Sequence, residues 1–329
     1  MIAYLSFSQA ALTALVLFLF AGFWGCPIIA LVCEIAGRMS KRIFLDKLAL
    51  QMTRLGSLIH IGTWLGLIAG VAALWYRHPE SITLIRPSAW LLLPTLGLGL
   101  VGTGLFIIYF ATWNLLKKEK KKIHMILGLA GFMLLKPLFW IPVLIIRSKV
   151  LGTNLEFQSL FPPLNSLFWP VGMQWAFTSL SMAAVLGSLY LLIRRNRDDF
   201  GRDYYKFALP VCAKWALFPF IAVLATCAWI AALTYSAVNI QVATPLMAAT
   251  AIRGGSLLLC VIIWVVIMKT ATPLRFKGMI VASGLFAWTF LIGTLAALWE
   301  MLGPYTGVYT PHSFAGSLLT WLGLSGFFT

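Results

Sequence analysis

The basic residues of this chain fall almost entirely into every second gap between long apolar runs, and that alternation restricts the fold more than any motif does. The apolar runs cover roughly 5–36, 50–76, 89–116, 124–146, 171–193, 208–236, 243–268 and 279–301. Each can cross a hydrocarbon layer of ~30 Å as a helix. Inside lipid every backbone N–H and C=O must be satisfied within its own segment, so these runs are expected to be helical. Of the 25 Lys and Arg, five lie in 38–54, five in 117–122, five in 194–206 and three in 269–277. Those four segments are alternate connections and so share one side of an eight-helix chain. The other side carries only Arg77, Arg86, Arg147 and Lys149. Such a bias places the basic side in the cytoplasm and both termini outside.

The net charge of +16 invites a nucleic-acid role, but its placement argues for a membrane instead. Basic connections beside helix ends face anionic headgroups, which attract Lys and Arg. With 61% hydrophobic residues and 10% charged, the expectation is an all-α integral membrane protein, multi-pass, N-out and C-out, in contact with lipid and with no nucleic acid. The run 5–36 lacks the short apolar core and basic flank of a cleavable signal, so it reads as a retained first helix. Five cysteines all lie in apolar runs without a close C-x-x-C pair, which suits buried small side chains rather than disulfides or a zinc site.

Charge and hydropathy repeat once along the chain. Residues 1–146 read as a first bundle of four transmembrane helices and 171–301 as a second. Between them lies an external loop, 147–170, whose Phe, Trp and Pro residues suit a membrane interface. Residues 302–329 read as an external or interfacial tail. The simplest architecture is two like-oriented four-helix bundles. The glycines of Leu96–Gly104 (LGLGLVGTG) and Gly254–Gly255 read as helix-packing positions.

Ionisable side chains inside a bilayer are costly, so each is a candidate for function. Lys136 (LLKPLFW) and Arg253 (TAIRGG) lie mid-helix, and none of the nine carboxylates of the chain is obviously at their depth. They are the candidate contacts to a quinone, a lipid or a partner subunit. Lys214 can snorkel to an interface. Glu34, one turn before Arg38, reads as a solvated or ion-paired end residue, and Glu300 as an outer-boundary residue. Of four histidines, only His60 (SLIHIGTW) lies deep in an apolar run; His124 sits at the cytoplasmic boundary, and His78 and His312 lie outside. A b-type haem normally takes two axial ligands, and no second intramembrane His exists. No catalytic triad, phosphate-binding loop or metal-ligand spacing is present.

Residues 6–20, SFSQAALTALVLFLF, carry a pattern in Ser6, Gln9, Ala11, Thr13 and Phe18-Leu19-Phe20. Gln51-Met52-Thr53-Arg54 follows, then a glycine-rich helix, then Trp113 with a basic turn and His124-Met125. In order and spacing, over about residues 5–147, this resembles subunit I of the cytochrome bd quinol oxidases. The family's haem-ligating His of the first helix falls on Leu17, and its early Arg on Phe7. No His occurs between 125 and 311, 91–116 holds no Asp or Glu, and the long quinol-binding loop is reduced to about 237–242. Arg253 can match the family's Arg of helix seven, but the Met ligand position is then Gly255.

The resemblance therefore implies a degenerate copy without the haem ligands. Such a copy would be a non-catalytic, haem-poor membrane subunit of a quinol-linked respiratory electron-transfer complex in a bacterial or archaeal cytoplasmic membrane. It would pair with a haem-bearing cytochrome bd subunit I-like protein or another electron-transfer subunit. It would bind no cofactor of its own, with quinone a possible ligand and no catalytic or metal site. Two alternatives stay open: a single-haem electron carrier with haem b on His60, and a small-solute transporter.

Overall fold

The computed structural model describes residues 7–77, 86–119, 121–150, 162–163, 166, 168–198, 200–235 and 244–302. Ser6, His78, His312, the segment 237–242, the tail from 303 and most of the loop 147–170 lie outside the described residues, as does the side chain of Glu300. Among the described residues nine α-helices follow in order: α1 (Phe7–Ser40), α2 (Ile43–Arg77), α3 (Ala89–Ala111), α4 (Trp113–Glu119), α5 (Lys121–Val150), α6 (Phe168–Asp198), α7 (Arg202–Tyr235), α8 (Thr244–Lys269) and α9 (Lys277–Leu302). All but the short α4 are long and apolar enough to cross a membrane. The eight expected spans are therefore present, each within a few residues at its apolar centre but extended at its ends.

The extension is large at 38–54, which the charge pattern marked as a connection. Only Lys41 and Arg42 leave the helical path between α1 and α2. Lys41 takes a left-handed backbone (φ 55°), and the Arg42 amide donates back to the Gly37 carbonyl at 3.0 Å. That bond satisfies a carbonyl the ending helix would otherwise leave open. Charge thus marks where the chain leaves lipid, not where its helices stop.

α1 and α6, the first helices of the two halves, are the most buried and pack on each other at the centre. Their approach depends on Gly25, where a Cβ would stand 2.4 Å from Ala183 Cβ and 2.5 Å from the Ser179 carbonyl. Close contact through small residues is how helices associate in lipid, where no hydrophobic drive separates helix from solvent. α9 joins this centre through the Trp288 indole, which donates to the Ala11 carbonyl at 2.9 Å. In the second half, Phe220, Trp264 and Phe290 interlock α7, α8 and α9 at 4.7–5.1 Å between ring centroids. One apolar core, with Met52, Phe106, Met182, Cys212 and Phe290 among its members, runs through both halves.

The first half is looser at its margin. α3 and α5 pair closely at Gly102 and Gly131, where a Cβ on either would come within 2.9–3.1 Å of the other's carbonyl. Gly99 also packs, its Cβ position lying 2.1 Å from Leu138, so two glycines of the LGLGLVGTG run are packing positions. Gly97 and Gly104 in the same run, and Gly254 and Gly255 on α8, face open space. The α3–α5 pair is held to the rest chiefly through α1 and α2.

Candidate functional site

At the basic end, α1, α3 and α5 bring four polar side chains into one buried knot. Glu34, Tyr109 and His124 are fully buried. Glu34 Oε2 accepts the Tyr109 hydroxyl at 2.5 Å, and Oε1 accepts from His124 Nδ1 at 3.0 Å and from the Arg38 guanidinium. His124 Nε2 lies 3.1 Å from the Tyr109 carbonyl. Short O–H···O⁻ bonds of this kind are characteristic of an ionised acceptor. A carboxylate offers acceptors only, as does a carbonyl. Both nitrogens of His124 therefore face oxygens that accept. The knot brings together a carboxyl group, an imidazole, a guanidinium and a phenol. Trp113 closes it, its ring lying 5.1 Å from His124 and 5.6 Å from Tyr109.

The local sequence explains the placement. Glu34 and Arg38 are four apart on α1 and meet on one helix face. Tyr109 ends α3, His124 begins α5, and the short α4 between them turns the chain back so that both reach the α1 end. From the residues alone, Glu34 and His124 read as boundary groups. The ion pair of Glu34 is present, but it is buried, and its second partner sits 90 positions away.

A polar stripe leads from this knot into the bundle. Thr53, Ser57 and His60 are buried and occupy one face of α2 at helical spacing. The Thr53 and Ser57 hydroxyls donate to the Ala49 and Thr53 carbonyls at 2.8 and 3.0 Å. His60 stands midway along α2; its Nε2 donates to the Phe23 carbonyl at 2.9 Å, and its Nδ1 is buried without a hydrogen-bond partner. The ring stacks on Phe23 at 4.0 Å and tilts against Phe106 at 4.9 Å.

These contacts do not fit a haem on His60. One ring nitrogen is committed to a backbone carbonyl, two phenylalanines pack against the ring, and His60 lines neither of the clefts beside α2. Among the described residues no group of three His, Cys, Asp or Glu is placed to hold a metal ion.

Lys136 and Arg253 have separate neighbours. Lys136 is exposed on α5, roughly 20 Å from either end of the helix at 1.5 Å per residue. Its ammonium lies 5.4 Å from the ring centroid of Phe132 on the same helix. Arg253 is half-buried between α7, α8 and α9, donating to Cys227 Sγ at 2.7 Å and lying 5.5 Å from the Phe290 ring centroid. Gln174 Nε2 reaches the same sulfur at 3.6 Å. Lys214 is exposed on α7.

A second polar knot at the basic end links α2 to α6. Asp198 takes Arg194 at 2.9 Å through Nε, Gln51 at 3.0 Å, and Arg54 at 3.5 Å. Gln51 and Arg54, noted above for the family pattern, thus serve here as cross-links to α6. An almost wholly apolar cleft of about 580 Å³ opens between α2 and α3, lined by Phe20, Phe23, Trp64 and Trp75, with Arg86 also on its wall. No protein-family profile, curated protein or solved structure matches this chain.

Proposed function

We propose that the chain is a haem-poor integral subunit of a quinol-linked electron-transfer complex, partnered by a haem-bearing subunit resembling cytochrome bd subunit I or by another electron-transfer subunit, in a bacterial or archaeal cytoplasmic membrane. The observation that carries this reading is His60. It is the one histidine deep in an apolar run, and its ring is taken up by a carbonyl bond and aromatic packing. The scaffold keeps the spacing of a haem subunit and fills its interior with side chains.

Lys136 supports the partner. An ammonium on an exposed face at mid-helix has no carboxylate among its described contacts, and leaving it in hydrocarbon is costly. An acid or carbonyl of a neighbouring subunit, or a quinone oxygen, relieves that cost. Arg253 is a second such donor, meeting among the described residues a thiol and a ring face. The apolar cleft beside α2 has the size and lining of a site for the chain of a quinone or lipid.

Isolation from native membranes in mild detergent, with visible spectra and identification of every subunit, tests the reading. A Soret band in the complex and a colourless isolated chain are the expected result. A Soret band that stays with the isolated chain and is lost in His60→Ala overturns it. Lys136→Leu and Arg253→Leu should each lower quinol turnover of the assembled complex without loss of assembly; unchanged turnover in both removes the contact roles.

A further inference from the structure

Thr63, Leu67 and Val71 form a ridge on α2, and a furrow lies along each side of it. Residues four apart on a helix stand one above the other, so the ridge is continuous. One furrow is the cleft of about 580 Å³ between α2 and α3. The other, of about 770 Å³, is walled by Val16 and Leu19 of α1. It owes its depth to Gly62, Gly66 and Gly70, which face open space and leave bare backbone where side chains would stand. Along α2 the furrows run over Thr63–Trp75 and Leu58–Val71, ~18 and ~20 Å at 1.5 Å per residue. One leaflet of a ~30 Å hydrocarbon layer is ~15 Å deep, so each furrow matches the reach of one acyl chain.

The polar groups inside the first furrow spend their donors within the protein. The Trp64 indole bonds Thr103 at 2.9 Å, and the Thr95 hydroxyl bonds the Leu91 carbonyl at 2.7 Å. Arg86 differs from them. Among the described residues it is the one charged side chain on either wall, and it is exposed. It stands at the end of the bundle opposite the Glu34 knot, between the close of α2 at Arg77 and the start of α3 at Ala89. None of the ion pairs among the described residues includes it. A guanidinium presents a fork of donors that suits a phosphate.

We propose that the two furrows hold one anionic diacyl phospholipid, its phosphate on Arg86 and one acyl chain on each side of the Thr63–Leu67–Val71 ridge. Charge complementarity selects the head group, because the cation lies where the furrows reach the membrane boundary. Two furrows divided by one ridge select a lipid with two chains. A quinone carries one chain and a neutral ring, so it would leave one furrow empty and the charge of Arg86 unmatched. The inference narrows the cleft beside α2 to a lipid site and does not rest on the electron-transfer reading, since it needs neither haem nor partner.

Native mass spectrometry tests it on the full chain in mild detergent, offered phosphatidylglycerol or phosphatidylcholine with the same acyl chains. Wild type should retain one phosphatidylglycerol in preference to phosphatidylcholine. Arg86→Gln should lower that retention about fivefold, the equivalent of ~1 kcal/mol. Lys269→Gln, which removes an exposed charge at the basic end, should keep it. Gly66→Leu fills the second furrow at a position whose Cβ meets nothing within 4 Å, so it should lower retention with the melting temperature unchanged. Single-chained lysophosphatidylglycerol should be retained several-fold more weakly than the two-chained lipid. Equal retention of the two phospholipids overturns the proposal. So do equal losses in Arg86→Gln and Lys269→Gln, because bulk charge then holds the lipid. Retention that ignores Gly66→Leu, or that is equal for the single-chained lipid, overturns the seating of the chains. Displacement of phosphatidylglycerol from wild type by an equal concentration of a short-chain quinone assigns the cleft to quinone instead. Neither a haem spectrum nor a partner subunit enters this readout, so its failure leaves the electron-transfer reading untouched.

Discussion

The two polar knots at the basic end are built from nearly the same parts. Each has one carboxylate, an arginine four residues away on the same helix, and donors from other helices: Glu34 with Arg38, Tyr109 and His124, Asp198 with Arg194, Gln51 and Arg54. They differ in cover. Glu34 and His124 are sealed from solvent, while Arg54 keeps 40% of its side chain exposed and Asp198 10%. Water can replace a lost partner in the second knot and not in the first. The same chemistry is therefore a fastening in one place and a commitment in the other: the Glu34 knot requires α1, α3 and α5 to meet, whereas the Asp198 knot adjusts how α2 lies on α6.

The largest consequence falls on Glu34→Leu. It leaves the buried His124 ring, the Tyr109 hydroxyl and the Arg38 guanidinium without their shared acceptor, and breaking a buried pair this way costs about 3–5 kcal/mol. A thermal melt in detergent should show a large drop in midpoint, or loss of the folded chain. The combined variant Glu34→Leu with His124→Leu should recover part of it, since both ends of the pair are then apolar. A single variant that melts like wild type would show that the knot is hydrated, and the contrast between the two knots would collapse.

A middle-sized effect separates the α3–α5 pair from the open lipid-facing glycines. Gly102→Leu forces a side chain against the Gly131 carbonyl, and overpacking of this kind costs about 1–3 kcal/mol. Gly97→Leu, on the same helix, meets nothing within 4 Å and should melt with wild type. If the two variants melt together, α3 and α5 do not hold the Glu34 knot in register, and the reason for its burial must lie in α1 alone.

The helices were legible in the sequence because lipid leaves the chain little choice: a long apolar run must be a helix, and charge marks its exits. Glu34 was not legible as a site. Its partners, Tyr109 and His124, are far away in the chain, and each by itself is an ordinary residue near a helix end. Only the close passage of α3 and α5, set by two glycines that meet in space, brings them together. The Thr53, Ser57 and His60 stripe is a different case. Its spacing is written in the sequence at helical period, but in a run so apolar three small polar residues read as scattered until the fold shows them buried on one face. Lys136 and Arg253 drew attention because they are charged; the structure gives them separate surroundings, one exposed and one half-buried against Cys227.

The smallest effect is the sharpest discriminator of the two knots. Asp198→Asn keeps the shape and the Gln51 contact but removes the charge that Arg194 and Arg54 share. Partly exposed ion pairs contribute about 1 kcal/mol or less, so the melting midpoint should fall only slightly. Raising salt should shrink that difference further, because screening acts on charges that water can reach. Glu34→Gln, measured in the same salt series, should keep more of its deficit, since Glu34 and His124 are fully buried and Arg38 alone of that knot keeps some exposure. Two variants that remove one carboxylate charge each, and differ in cover rather than in chemistry, would then be told apart by salt alone. Parallel salt responses would mean that the Glu34 knot communicates with solvent as freely as the Asp198 knot, and that burial does not set the difference between them.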